Sequence, residues 1–259
     1  MNLSLLPELA SAYHSRSQVA RVVTEEWATR NLYCPACPSN SLAPTPPNTR
    51  VVDFQCPICG QPYQLKSSKT WNETRITDAG YAAMVTAIRD DATPNLFVMQ
   101  YTSEWSVRNL LLVPRFFLTE SVIEKRKPLS LKARRAGWVG CNIVLGEIPP
   151  DGKLRLVLNS KVVEETEVRE QFQRVQPLAN LGVNLRGWTL DVLKVVRRLG
   201  KREFSLAEVY QFEHELASLH PDNQNVRPKI RQQLQILRDV GLLEFEGQGH
   251  YKLSYGMVT

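Results

Sequence analysis

Residues 52–66 read VDFQCPICGQPYQLK, and two chemical patterns share this one short stretch. Cys56 and Cys59 form a C-x2-C pair that answers an earlier pair, Cys34 and Cys37, across eighteen intervening residues. Thiolates bind Zn²⁺ tetrahedrally, and each C-x2-C knuckle presents two sulfurs at one turn, so the four cysteines predict a closed, structural zinc site. Around the second knuckle, Asp53 and Gln64-Leu65-Lys66 form another pattern: an acid on one strand, then an oxygen ligand and a lysine two residues apart on the returning strand. Strand side chains alternate, so Gln64 and Lys66 share a face that Asp53 can join from the neighbouring strand. Phosphodiester hydrolysis requires a divalent cation to activate water and offset phosphate charge. Asp53, the Gln64 amide oxygen and the Leu65 carbonyl are the candidate Mg²⁺ ligands, and Lys66 is the cation beside the attacking water. Gln64 brings no charge and cannot serve as a base. Glu25 and Glu26 offer a further carboxylate, but their positions fit a solvated helix face better.

Working outward, 259 residues suffice for one large or two ordinary domains. The balance of 32 basic and 26 acidic residues gives +6, which permits a polyanionic partner without demanding one. Six cations and no acid lie between Lys125 and Trp138, ending in Arg134-Arg135-Ala136-Gly137-Trp138. Arg134 and Arg135 suit phosphates there, and Trp138 suits stacking or wedging between bases. Five cysteines, four of them in metal spacing, argue for a reducing compartment and against a disulfide framework. Cys141 reads as a small buried residue. The N-terminal residues lack a basic segment followed by a long apolar core, which predicts no secretion signal. No apolar run approaches a membrane span, so the chain is expected in the cytoplasm without a membrane partner. Neither a P-loop nor a GxGxxG pattern occurs, so no nucleotide cofactor is expected, and the four histidines are scattered.

Apolar spacing predicts a helix over residues 17–32, and residues 39–50 (SNSLAPTPPNTR) read as an irregular loop. Arg50–Gln55 and Gln61–Ser67 read as paired strands, Ile76–Arg89 as a helix, and residues 95–101, 107–113 and 154–158 as strands. This order predicts a mixed α/β domain over residues 1–180. Residues 176–187 read as a linker. Beyond it, helical patterns over 189–199, 206–219 and 226–240 precede a hairpin turning at Glu246-Gly247-Gln248-Gly249. Three helices closed by a two-stranded wing describe a winged helix over residues 181–259. Its third helix carries Arg227, Lys229, Arg231, Gln232, Gln233 and Gln235, residue types suited to phosphate and base-edge contacts in a major groove.

The segments NLYCPAC (31–37), VVDFQCPICG (51–60), QLKSS (64–68), RRAGWVGCNI (134–143) and IRQQLQILRD (230–239) together resemble the DpnI family of methyl-directed restriction endonucleases, in the same order and spacing. The resemblance implies a PD-(D/E)XK nuclease domain carrying a four-cysteine zinc site, followed by a winged helix. It implies Mg²⁺-dependent cutting of double-stranded DNA at GATC when the adenine bears an N6-methyl group, with both domains reading the methylated site. Carried across, the metal-binding acid falls on Asp53, the lysine on Lys66, and Trp138 becomes a base or methyl contact. The motif's second acid falls on Gln64, a departure that some nucleases of this fold tolerate, so activity with altered metal affinity is expected. Two other readings stay open: a non-catalytic zinc and winged-helix regulator binding methylated DNA, and a repair nuclease that reads DNA structure. A monomer is expected.

Overall fold

The computed structural model describes residues 1–46, 49, 51–70, 72 and 74–255. In chain order the elements are α1 (Arg16–Asn31), β1 (Ala43–Pro44), β2 (Phe54–Gln55), β3 (Pro62–Ser68), β4 (Ile76–Gly80), α2 (Tyr81–Arg89), β5 (Asn95–Tyr101), β6 (Val107–Val113), β7 (Ile123–Lys125) and β8 (Gly140–Ile143). There follow β9 (Leu154–Leu158), β10 (Lys161–Val162), α3 (Glu165–Val175), α4 (Val183–Arg198), β11 (Glu203–Ser205), α5 (Leu206–Tyr210), α6 (Glu213–Leu219), α7 (Val226–Asp239), β12 (Leu243–Gly247) and β13 (His250–Leu253). They group into two compact units, the first from residues 1–72, 94–115 and 153–173, the second from 73–93, 116–152 and 174–259. Among the described residues no helix is long and apolar enough to cross a membrane.

The first unit is built on a seven-stranded mixed sheet in the order β1-β2-β3-β5-β6-β9-β10. Its one parallel pair, β3 with β5, joins the strand bearing Gln64 and Lys66 to the most buried strand, Leu96–Met99, where the apolar run required cover on both faces. Against this sheet lies α1, with Trp27 fully buried and its indole N–H donating to the Asn2 carbonyl at 2.7 Å. The Thr24 and Ser67 hydroxyls meet at 3.0 Å, which fixes α1 along β3.

The strand expected over Arg50–Gln55 is shorter than its composition suggests. Arg50 lies outside the described residues, and Val51 takes a positive φ of 64°, costly for a β-branched residue, so regular pairing begins only at Phe54. The loop expected over 39–50 is not wholly irregular, because Ala43 and Pro44 pair with Gln55 and Phe54 as an edge strand. That edge tolerates proline, which needs no donor on its outer side.

The second unit holds a three-stranded sheet, β4-β8-β7, and the winged-helix segment, whose own sheet runs β11-β13-β12. The helix expected from Ile76 starts only at Tyr81. Ile76 and Thr77 pair instead with Ile143 and Asn142 on β8, a strand that periodicity did not reveal. The expected linker is ordered too: Gln176–Asn180 forms a 3-10 turn and α4 begins at Val183. Its loop-like composition misleads because Arg186 is drawn inward, donating to Asp91 at 2.5 Å and to the Leu181 carbonyl at 3.0 Å.

Helix α4 is buried along most of its length, and its cations are paired: Lys194 with Glu147 at 2.9 Å, and Arg197 with Asp151 through its Nε at 2.8 Å. Of these two, only the Arg197–Asp151 pair is buried at both ends, and breaking it would cost about 3–5 kcal/mol because the surviving charge is stranded. The middle helical pattern divides into α5 and α6. Ser205 caps α5 by accepting from the Glu208 amide while Glu208 accepts from the Ser205 amide. A third wing strand, β11, pairs with β13 through Glu203–Ser205.

Candidate functional site

The four sulfurs of Cys34, Cys37, Cys56 and Cys59 all lie within 4.8 Å of one another. Cys34 approaches Cys59 at 3.6 Å and Cys37 approaches Cys56 at 3.5 Å. A tetrahedral ion with metal–sulfur bonds of about 2.3 Å requires sulfur–sulfur edges of about 3.8 Å, so the cluster fits a Zn²⁺-sized ion after minor adjustment. All five cysteines are free thiols.

Each knuckle is shaped by main-chain bonds. Gly60, at φ 71°, takes a conformation few side chains tolerate while its N–H donates to the Cys56 carbonyl at 3.0 Å. The Cys59 N–H donates to the Cys56 sulfur at 3.5 Å. In the first knuckle, the Ser39 carbonyl accepts from the Cys34 N–H at 3.1 Å and from Arg169 at 3.0 Å, whose guanidinium stacks over Tyr33 at 5.2 Å. Burial pushes the Cys34 thiol well above its ordinary value, and Cys59 upward as well. Burial acts upward on Cys56 too, but the Cys59 and Ile58 N–H groups and the neighbouring thiols outweigh it and bring Cys56 down to about 6. Four sulfurs crowded this closely, with one thiol already inclined to ionise, suit a cation.

Asp53 stands immediately before β2. Phe54 pairs with Tyr63, and continuing that antiparallel register by one residue sets Asp53 opposite Gln64. Its N–H donates to the Tyr63 carbonyl at 2.9 Å, and its Oδ2 accepts from the Leu65 N–H at 2.8 Å. The carboxylate thus replaces a main-chain acceptor and is held against the strand that carries Gln64, Leu65 and Lys66. Those three residues are all half-buried, and alternation puts Gln64 and Lys66 on the face opposite Ser67.

Asp53 also lines a cleft of about 710 Å³ with Arg21, Glu25, Glu26 and Thr45. Gln64 and Lys66 are not among the described residues lining it. Glu26 behaves as a surface residue, 43% exposed and paired with Arg30 at 3.2 Å. Glu25 does not. Burial raises its carboxyl above the usual range, Asp53 raises it further, and Arg21 at 3.2 Å only partly opposes this. The sequence alone places Glu25 on a solvated face, because its proximity to Asp53 is a tertiary fact with no local signature.

In the second unit the basic segment forms an arm: Arg126 N–H donates to the Gly140 carbonyl at 3.0 Å and Leu129 N–H to the Trp138 carbonyl at 2.9 Å. Arg134 and Arg135 are exposed, and Arg135 lies 4.8 Å from the half-buried Trp138 ring. The indole rests on glycine: a Cβ at Gly140 would fall 2.8 Å from two ring carbons, and one at Gly80 would fall 3.4 Å from the ring nitrogen.

On α7, Arg227, Arg231, Gln232 and Gln235 are exposed. Arg227 pairs with Glu213 at 2.7 Å, and Arg231 donates to the Tyr210 hydroxyl at 3.2 Å. Lys229 is half-buried, donating to Gln232 at 2.9 Å with its ammonium 6.0 Å from the Trp188 ring. Gln233 corrects the expectation of a groove contact. It is fully buried and accepts from the Thr189 hydroxyl of α4 at 2.7 Å, because its helical position faces the core with Ile230, Leu234 and Leu237.

Comparison with known families adds two matches that leave little of the chain uncovered. The DpnI model, described as the Dam-replacing family, matches residues 1–181, and the DpnI_C model, the Dam-replacing HTH domain, matches residues 184–253. With a mixed sheet carrying the cysteine cluster and a helix-turn-helix segment at the expected place, the chain belongs to the DpnI, or Dam-replacing, family.

Proposed function

We propose that this chain is a methyl-dependent restriction endonuclease that hydrolyses double-stranded DNA at GATC when the adenine carries an N6-methyl group. Family membership supports the nuclease class and a DNA partner. The observation that carries the reading furthest is the attachment of Asp53 to β3, through the Leu65 N–H, beside Gln64 and Lys66. In this reading residues 1–180 form a PD-(D/E)XK nuclease domain and residues 181–259 a winged-helix reader, acting as a cytoplasmic monomer.

Asp53, the Gln64 amide oxygen and the Leu65 carbonyl would hold Mg²⁺, with Glu25 the nearby carboxylate that offsets the missing charge at Gln64. The ion, when bound, supplies an ionised water and offsets phosphate charge. Lys66 orients the attacking water and neutralises the developing oxyanion. Cys34, Cys37, Cys56 and Cys59 would hold a structural Zn²⁺ away from the reaction. Arg134 and Arg135 contact phosphates, and Trp138 presents an apolar ring edge to the methylated base. On α7, Arg227, Lys229, Arg231, Gln232 and Gln235 form the reading face.

One methyl group in an apolar pocket is worth only about 1–3 kcal/mol, so two reading domains engaging in turn would multiply the discrimination. Digestion of methylated and unmethylated GATC-containing duplex with Mg²⁺ tests the reading: cutting of the methylated duplex alone is expected, and equal cutting of both, or of neither, overturns it. The neutral Gln64 favours one competing reading, a non-catalytic methyl-DNA-binding regulator. That protein would bind methylated duplex without any strand breaks on long incubation with Mg²⁺.

A further inference from the structure

Tyr63 is fully buried in the middle of the first unit and makes three different attachments. Its hydroxyl lies 3.1 Å from the Cys34 sulfur. Its carbonyl accepts the Asp53 N–H at 2.9 Å. Its ring stacks on Phe97 of β5 with centroids 5.4 Å apart and planes 23° from parallel. The residue that follows is Gln64. One side chain and its own main chain therefore span from a metal-type thiol to the acid of the proposed nuclease centre.

The direction of the hydroxyl bond follows from the chemistry of a loaded site. A metal-bound cysteine is a thiolate and can only accept, so Tyr63 must donate. Four thiolates around a divalent ion leave two surplus negative charges, and Cys34, with Cys56, is one of the two buried members of the set. A donor at that sulfur offsets charge where water cannot. The Cys59 N–H does the same for Cys56 at 3.5 Å, but it belongs to the knuckle itself and carries no link to the sheet. Stacking on Phe97 then prevents the ring from following a displaced sulfur without moving β3 against β5.

We propose that Tyr63 is a positioning residue that couples the cysteine-bound metal to the nuclease strand, so that metal occupancy sets the placement of Asp53. This rests on the nuclease reading above. The test is Tyr63→Phe, an exchange that removes one oxygen and keeps the ring, in the full-length protein. Outer-shell partners of metal ligands change affinity or activity by about 10–100-fold. The variant is expected to release zinc to a chelating dye at least about tenfold faster, and to shift the sulfur-to-metal absorption band of the cobalt(II)-loaded chain. Cleavage of methylated duplex should slow about tenfold while binding of the same duplex without Mg²⁺ stays at the wild-type level. Unchanged release and an unchanged cobalt spectrum overturn the proposal, as does an altered metal site with cleavage at the wild-type rate. A wild-type protein that takes up zinc yet cuts no DNA defeats the nuclease reading instead, because the Tyr63–Cys34 bond is still read by the cobalt spectrum.

Discussion

The cysteine cluster with its hairpin and the third helix of the winged segment both carry candidate functional side chains, yet they yield their places in different ways. In the first, spacing along the chain nearly determines geometry. Two knuckles and one antiparallel turn bring four sulfurs within 4.8 Å and set Asp53 against the Leu65 amide. On α7, six neighbouring polar residues share one composition, but tertiary packing divides them: Gln233 goes to the core, the half-buried Lys229 sets its ammonium over Trp188, and four remain exposed. Short-range covalent constraint transmits chemistry from sequence to site. A helix face transmits it only after its packing partner is known.

The largest expected effect attacks the constrained region. Cys56→Ser removes one of the four proposed ligands and should lower metal content below one ion per chain, with cooperative loss of near-UV circular dichroism, because a structural zinc contributes directly to folding. Retained metal and a native spectrum would break the contrast at its stronger end.

The next effect tests the division of α7. Gln233→Ala should destabilise by about 1–3 kcal/mol in denaturant unfolding, since it empties a fully buried site and removes the acceptor that the Thr189 hydroxyl shares with the Leu185 carbonyl. Gln232→Ala, one residue away and exposed, should stay within about 0.5 kcal/mol while weakening DNA binding. Equal stability losses would mean that packing does not sort this face.

Glu25→Gln should separate function from stability. The Glu25 carboxyl is raised by burial first and by Asp53 as well, so its protonated form is favoured in the folded state. Its contribution is therefore stabilising below the ordinary carboxylate value of 4.5 and is lost as pH rises through the folded value. At pH 7 the neutral variant should melt slightly higher than wild type, with the gain disappearing in acid, while more Mg²⁺ is needed for half-maximal cleavage.

The smallest effect belongs to the capping box of α5. Lys201 first, then the Ser205 amide and hydroxyl, hold the half-buried Glu208 carboxyl down at about 2. Its contribution is present above the usual value of 4.5 and fades as pH falls towards about 2. Glu208→Gln should remove a small part of the acid sensitivity of thermal unfolding and leave the neutral-pH cleavage rate unchanged.

Much of the fold was legible because the decisive segments are locally redundant. Strands β5, β6 and β9 are apolar runs with clear ends, and α1 shows helical spacing. What escaped was decided at a distance. Ile76 and Thr77 are strand because β8 lies beside them, and β8 is too short to declare itself. The start of α4 hides behind loop-like residues that Asp91 recruits through Arg186. Val51 ends a strand that composition would extend, through a positive φ that no periodicity encodes. At the site, the cysteine spacing and the Asp53–Lys66 pattern were visible, whereas Glu25 and the Tyr63–Cys34 bond emerged only once α1 and the two knuckles were placed in space.

In the proposed function, the β3 hairpin cuts DNA. Single-turnover cleavage of a methylated GATC duplex, by wild type and Lys66→Ala side by side at saturating Mg²⁺, tests it most directly. Loss of a group that stabilises transition-state charge costs about 10²–10³ in rate. A slowing of at least that size is expected, with binding of the methylated duplex retained. A variant that cuts at the wild-type rate would contradict it.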